Sequence, residues 1–556
     1  MCDFKSIFDP FRFCLVSRRQ KIPTMKLDQI SITEILDGLK KGSFSRLVDA
    51  HNDFFVVSLT IMKTYIKRIE QINSIVHVVS EINRKAIDVA REKDEERSRG
   101  LAQGSLHGVP VLIKNLLFTT DGLKTTFGCT GFLEAIPSIE ATTIIKLREQ
   151  GAIILGVANG SQWANNRCTP GWSSVGGQCL GVYHKDQHPK GSSSGSAVGT
   201  ALGLCAAALG TETSGSVILP AQRSAVVGIK PTVGMTSRYG MYISSESQDT
   251  VGILARSVKD AALMLTVIAG EDEQDPITIS DPRDSIFCRK PNKFPDFTGA
   301  CNSRRLDGVR IAIPRHILKH VDPTTIHLFE NALDAMRFLG ATLVDPTSYS
   351  TFDTDRSSCT GDEYDMALKV DIYHNIKKIL SYFSTNPHSL YTLSDVITYS
   401  IATPAEEATK RGLGHFESAL EVGKKYARDS EEYINSMVER NHMGRQIPKL
   451  LDKFDCDMIV LPTNVAVEPA DVGGCPVVSV PMGFYPPETE VVRQNGMVEV
   501  GPGIPLGISF VGRRWDDEKL IGAAYVYEQA TRWRDKGRMV VRCDVEVCDM
   551  AVRAHK

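Results

Sequence analysis

The sequence predicts an α/β fold with a mixed sheet, and three observations carry that expectation. Short β-branched runs recur at 109–113, 153–157, 226–229, 309–313 and 457–461. Longer stretches with apolar positions at helical spacing separate them, which is the pattern of strands joined by crossover helices. The 556 residues suffice for one large sheet flanked by helices on both faces.

Taken in order, residues 1–26 combine Phe4, Phe8, Phe11 and Phe13 with Arg12, Arg18, Arg19 and Lys21. Asp3, Asp9 and the lack of a continuous apolar run make this a poor secretory signal, so the stretch reads as a disordered extension ahead of a second start at Met25. A mitochondrial presequence is the weaker alternative. Residues 27–40 read as a surface helix capped at Ser31, with Glu34 completing the capping pattern. Residues 61–75 and 81–99 repeat the amphipathic period. Ahead of both, His51–Val57 interrupts the pattern, and about 46–60 reads as an insertion. Val198 to Leu209 is crowded with Ala, Gly and Leu, as a helix packed beneath a turn would be. Residues 271–307 read as an excursion over the surface, 324–454 as largely helical, and 484–503 as a polar, glycine-rich loop. Residues 27–540 are expected to form a single domain, followed by a tail over 541–556.

Composition narrows the partners. With 64 basic against 66 acidic residues the net charge is −2, leaving no field to attract nucleic acid or an anionic membrane. No run is long and apolar enough for a membrane-spanning helix, so a soluble, cytoplasmic protein is expected. The 13 cysteines are scattered without a C-x-x-C pair, which reads as buried thiols rather than a disulfide framework or zinc knuckle. No cofactor and no metal is expected, and the oligomeric state is open to a homodimer.

Chemistry concentrates in three segments. Ser192 lies in Lys190-Gly191-Ser192-Ser193-Ser194-Gly195-Ser196 and Ser216 in Gly210-Thr211-Glu212-Thr213-Ser214-Gly215-Ser216. Turns of small residues let backbone N–H groups converge on a bound oxygen, which is how an oxyanion hole is made. A serine hydroxyl needs a base, and Lys114 closes the apolar run Gly108-Val109-Pro110-Val111-Leu112-Ile113-Lys114. Buried at a strand end, an ammonium loses its hydration and becomes a neutral amine, which can accept a proton.

Rival readings are weaker. Gly191 to Gly195 also fits G-x-S-x-G with Ser193 as nucleophile, but the preceding Lys185-Asp186-Gln187-His188-Pro189 is a poor strand and that motif must follow one. His107, His184 and His188 therefore read as surface or supporting residues rather than as a triad base. Gly151 to Gly156 has phosphate-loop spacing without the Gly-Lys-Ser order, and its apolar filling suits a buried strand.

These segments, in this order, resemble the amidase signature family of serine hydrolases. The likeness runs over 67–270 and returns at 455–535, with Asp457-Met458-Ile459-Val460-Leu461-Pro462-Thr463 and Gly507-Ile508-Ser509-Phe510-Val511-Gly512-Arg513-Arg514-Trp515. It implies a Ser-Ser-Lys triad of Ser216 as nucleophile, Ser192 as bridge and Lys114 as base. An oxyanion hole would lie at the backbone of Thr213, Ser214, Gly215 and Ser216, and a cis peptide would precede Ser192. It also implies a mainly helical, substrate-side excursion over about 308–454. Asn115 stands where aspartate is usual, Lys190 where glycine is common, Glu212 in place of a frequent aspartate, and Ser214 where glycine or aspartate often occurs. Gly171 to Gln178 and Gly507 to Asp516 look closer to peptide amidases and fungal-type relatives than to the amidase component of a tRNA amidotransferase. The implied activity is hydrolysis of a linear peptide or acyl amide. The alternatives are that amidotransferase component, or a catalytically degenerate scaffold.

Overall fold

The computed structural model describes residues 26–41, 57–285, 290–351 and 362–547. The expected N-terminal extension, apart from Lys26, and most of the insertion lie outside the described residues; Ser58 already begins the helix Ser58–Val76. Among the described residues eleven strands make the central sheet. They are β1 (Val79–Ile82), β2 (Pro110–Lys114), β3 (Ile153–Ala158), β4 (Ala207–Glu212), β5 (Val227–Lys230) and β6 (Thr250–Ala255), followed by β7 (Arg310–Pro314), β8 (Thr342–Thr347), β9 (Met458–Pro462), β10 (Val477–Phe484) and β11 (Pro505–Val511). Their spatial order is β1-β3-β2-β4-β6-β5-β10-β11-β9-β7-β8. The sheet is mixed: β2 runs parallel to β3 and β4, β7 parallel to β8 and β9, and the middle is antiparallel.

Every predicted β-branched run is a strand, but six others were not singled out. The reason is physical. β4, β6 and β10 are covered on both faces, so they lack the alternation that marks a half-exposed strand. β4 is also Ala-Ala-Leu-Gly-Thr-Glu, whose small residues carry little strand preference. The expected helix over 198–209 is corrected accordingly. It is the helix Ser194–Ala201, and Ala207 to Leu209 belong to β4. Gly203 at φ +62 turns the chain between them, where a Cβ would meet the Leu27 carbonyl at 2.6 Å.

The helix Ser194–Ala201 is buried along its whole length because its residues are small. A Cβ on Gly195 would come within 2.3 Å of the Val78 carbonyl oxygen, so the helix can approach the sheet this closely only as glycine. Ser196 Oγ donates to the Leu209 carbonyl of β4 at 2.9 Å, fixing the helix against the strand it precedes. The first helix, Ile32–Lys41, carries the anticipated cap: Ser31 N–H donates to Glu34 Oε2 (2.9 Å) and Glu34 N–H to Ser31 Oγ (3.1 Å).

Residues 324–454 are largely helical, beginning with the helix Pro323–Phe338, although β8 joins the sheet edge; the stretch from Asp362 to Lys453 is helical apart from short connections and the strand Phe383–Thr385. It encloses a second, aromatic core separate from the one around the sheet. Phe127 stacks on Trp163 at 4.6 Å and Phe132 on Phe383 at 5.3 Å, with Tyr242 and Phe416 alongside. The expected loop over 484–503 contains a hairpin, Val492–Gln494 with Met497–Val500. The tail does not start free: Glu546 accepts the Leu27 N–H at 2.9 Å and pairs with Arg68 at 3.0 Å. Within 271–307, Asp281 and Arg283 are buried rather than superficial, paired with each other, and Asp281 also with Arg514.

Candidate active site

Because β2 and β4 are parallel neighbours, with Leu112 opposite Ala208, their C-terminal residues emerge at the same end of the sheet. Lys114 ends β2, and Glu212 ends β4 and leads into the Ser216 turn. The Ser192 turn precedes the helix Ser194–Ala201 that packs on β4. This topology gathers three distant segments at one point.

Lys114 and Ser192 are wholly buried and Ser216 is 4% exposed. Lys114 Nζ lies 2.6 Å from Ser192 Oγ, 3.0 Å from Ser193 Oγ, 2.9 Å from Thr211 Oγ1 and 3.2 Å from the Thr211 carbonyl. All four neighbours are neutral oxygens. Burial therefore pulls the Lys114 ammonium down to about 7, against the opposing fields of Asp249 and Glu212. The Ser216 turn joins this group through the Ser193 N–H, which donates to the Ser216 carbonyl at 3.1 Å. The Gly191–Ser192 peptide is cis, as the family likeness implied.

Glu212 folds the Ser216 turn. Its carboxylate accepts the N–H of Val217 at 2.6 Å and of Ile218 at 3.0 Å, capping the short helix Ile218–Arg223, and burial raises its pKa. Among the described residues the N–H groups of Thr213, Ser214, Gly215 and Ser216 donate no hydrogen bond, and Ser214 is exposed. These four donors sit in the turn that carries buried Ser216 and have no partner among the described residues. Gly215 has φ +72, and a Cβ there would meet Leu219 Cδ1 at 2.6 Å, so glycine is the residue this turn favours.

Thr211 and Ser193 contact the lysine and buried Asp249 acts on it through its charge, an environment that no motif in the sequence signals. Burial pushes the Asp249 carboxyl up to about 7, opposed by hydrogen bonds from the Thr213 side chain and the Ser244 N–H (2.6 Å). Asp249 lies in the polar run Ser244 to Asp249 before β6, and only its burial among loops, invisible in sequence, distinguishes it from a solvated turn. Asn115, next to Lys114, is buried: its Nδ2 donates to the Gly160 carbonyl at 3.1 Å and its Oδ1 has no partner. A Cβ on Gly160 would come within 2.5 Å of that Oδ1, 2.9 Å of the Ser192 carbonyl and 3.1 Å of Lys114 Cε, so these groups crowd around one point.

The histidines take supporting places. His107 is buried between the carbonyls of Gln103 and Lys93, and His188 is buried with its Nδ1 accepting the Lys190 N–H, so both are interior rather than superficial. Ser193 follows a loop instead of a strand, against the nucleophile-elbow reading. The described cysteines are free thiols, seven of them buried. Among the described residues no helix is long and apolar enough to cross a membrane.

The sequence profile of the Amidase family matches residues 60–521. This chain belongs to the amidase signature family. A putative amidase of Arthroderma benhamiae is 39% identical over 539 residues, covering 94% of this chain and 89% of its own. The native peptide amidase of Stenotrophomonas maltophilia superposes with a TM-score of 0.77 at 30% identity, over 92% of this chain and 99% of that one. More distant is a glutamyl-tRNA(Gln) amidotransferase subunit from Geobacter metallireducens, 26% identical over 92% of this chain and 99% of its own. Membership assigns the family's fold and a hydrolase acting on carbon–nitrogen bonds.

Proposed function

We propose that this amidase hydrolyses a linear peptide or acyl amide through a Ser-Ser-Lys triad. The observation that carries the reading is the 2.6 Å contact between Lys114 Nζ and Ser192 Oγ in a pocket of neutral oxygens, with the lysine titrating at about 7. Neutral Lys114 accepts the Ser192 hydroxyl proton as Ser192 accepts that of Ser216. Ser216 Oγ then bonds to the amide carbonyl carbon, and the oxygen, now negative, is received by the N–H groups of residues 213–216. The proton returns from Lys114 through Ser192 to the amide nitrogen, the C–N bond breaks, and ammonia or an amine leaves. Water, deprotonated along the same relay, hydrolyses the Ser216 ester and regenerates the hydroxyl.

The linear-amide preference draws on the 30% identity and TM-score of 0.77 with the peptide amidase. The amidotransferase relatives compare at lower identity over similar lengths. The test is ammonia release over a panel of primary amides, peptide amides, long-chain acyl amides and free glutamine, with fluorophosphonate labelling at Ser216. Turnover of a linear amide by the isolated protein is expected. Glutaminase activity appearing only with a co-purified stoichiometric partner would favour the amidotransferase reading, and a folded protein that never labels would favour the scaffold.

A further inference from the structure

We propose that Glu499 is a positioning residue for Ser192, acting through Lys190; this rests on the triad reading above. Lys190 stands two residues before Ser192 with φ +57, a left-handed conformation that residues other than glycine adopt at a cost. Something must hold it there. Its N–H donates to His188 Nδ1 at 3.0 Å and its carbonyl accepts from Ser194 Oγ at 2.6 Å. The side chain reaches across to the hairpin, where Nζ lies 3.1 Å from Glu499 Oε2 and 3.2 Å from Oε1.

The same carboxylate gathers a third segment. Arg223 ends the helix that follows Ser216, and its guanidinium lies 3.7 Å from Glu499 Oε2. It donates to the carbonyls of Glu499 (2.7 Å), Val498 (3.2 Å) and His188 (3.2 Å). Gln187 Nε2 donates to the Arg223 carbonyl at 2.8 Å, and main-chain bonds join Val498 to Asp186 and His188. The loop entering Ser192, the helix leaving Ser216 and the hairpin Val492–Val500 therefore meet at Glu499. Burial pulls His188 down to about 4, so at neutral pH it is an uncharged acceptor and the carboxylate faces two cations, Lys190 and Arg223.

A lysine at 190 gives up glycine's freedom but gains a charged handle. Lys190 and Glu499 are 35% and 15% exposed, so the pair is only partly screened by water. Ser192 must stay in register with Lys114 on one side and the Ser216 turn on the other, and a misplacement of about 1 Å in such a relay costs about 10²-fold in rate.

The experiment is a double-mutant cycle of Glu499→Gln and Lys190→Gly, reading kcat, KM and amide hydrogen exchange over residues 187–196. Glu499→Gln is expected to lower kcat about tenfold with KM unchanged within about twofold, and to speed exchange at Lys190 to Ser194 alone. Glu499→Asp should recover part of that loss. With glycine at 190, which adopts φ +57 unaided, the same Glu499→Gln step should cost less than about twofold. An equal drop in both backgrounds, or a loss confined to KM, overturns the proposal. Should Glu499→Gln not fold, Lys190→Met removes the same pair and must show the kcat-only loss. If the parent protein turns over no amide, the functional reading fails separately, and exchange decides: local acceleration in Glu499→Gln supports the positioning role and unchanged protection refutes it.

Discussion

The sheet end around Lys114 and the helical stretch Asp362–Lys453 handle buried charge in opposite ways. Lys114 is surrounded by neutral hydroxyl and carbonyl oxygens, with Asp249 and Glu212 felt only as fields. The helical stretch is fastened by direct pairs instead. Arg167 meets Glu406 at 3.1 Å with both side chains fully buried and Arg428 meets Asp371 at 2.9 Å, while Arg440 donates to the neutral amide oxygen of Gln248. Gln248 in turn reaches the Thr213 carbonyl at 3.4 Å, and Asp371 accepts the Glu246 N–H at 2.9 Å, so the stretch rests on the loops flanking the Ser216 turn. A direct carboxylate partner would hold Lys114 as an ammonium. Neutral oxygens satisfy the nitrogen yet leave it able to change protonation, whereas permanent pairs fix geometry and resist titration.

The sharpest way to break the contrast is Ser216→Ala, which should reduce amide turnover by at least about 10⁴-fold with an unchanged circular dichroism spectrum. Unaltered rates would move the nucleophile elsewhere. Next, Lys114→Met should cost about 10² to 10⁴-fold at pH 7 and recover in part at alkaline pH, while equal loss at every pH would deny a proton-accepting role. The parent's kcat/KM should rise with pH through about 7, because the proposed relay requires Lys114 to be neutral and burial brings its ammonium down to about that value. Since Asp249 also titrates at about 7, the limb belongs to the pair.

On the other side of the comparison, Glu406→Gln leaves Arg167 buried without a counter-charge. It should destabilise the protein by about 3–5 kcal/mol in denaturant titrations. Its kcat at a permissive temperature should change far less than for either triad variant. The smallest effect is expected from Asn115→Asp. A carboxylate beside Lys114 favours the ammonium, so the acid limb should move up by about one unit, and rates at pH 7 should fall several-fold and recover at pH 9. A downward move would place the dominant charge elsewhere.

Much of the architecture was legible where sequence and burial agree. The runs 109–113 and 153–157 are rich in β-branched residues and mark the strands Pro110–Lys114 and Ile153–Ala158, and Ser31 with Glu34 marks a helix start that the backbone honours. What failed to show were elements of small residues, above all Ala207 to Glu212, and the hairpin that delivers Glu499 to Lys190. Small residues form a strand there because their neighbours leave no room for larger ones, and that constraint is not written locally.

The chain by itself determined its family, its mixed α/β class and three segments carrying Lys114, Ser192 and Ser216, because turn chemistry and apolar runs are local properties. Tertiary structure alone decided that four neutral oxygens surround the lysine, that the charge of buried Asp249 acts on it, and that a distant hairpin reaches the turn before Ser192. Proton affinity depends on the dielectric and the charges within a few ångströms, and the oxygens around Lys114 come from residues 78 to 97 positions away along the chain.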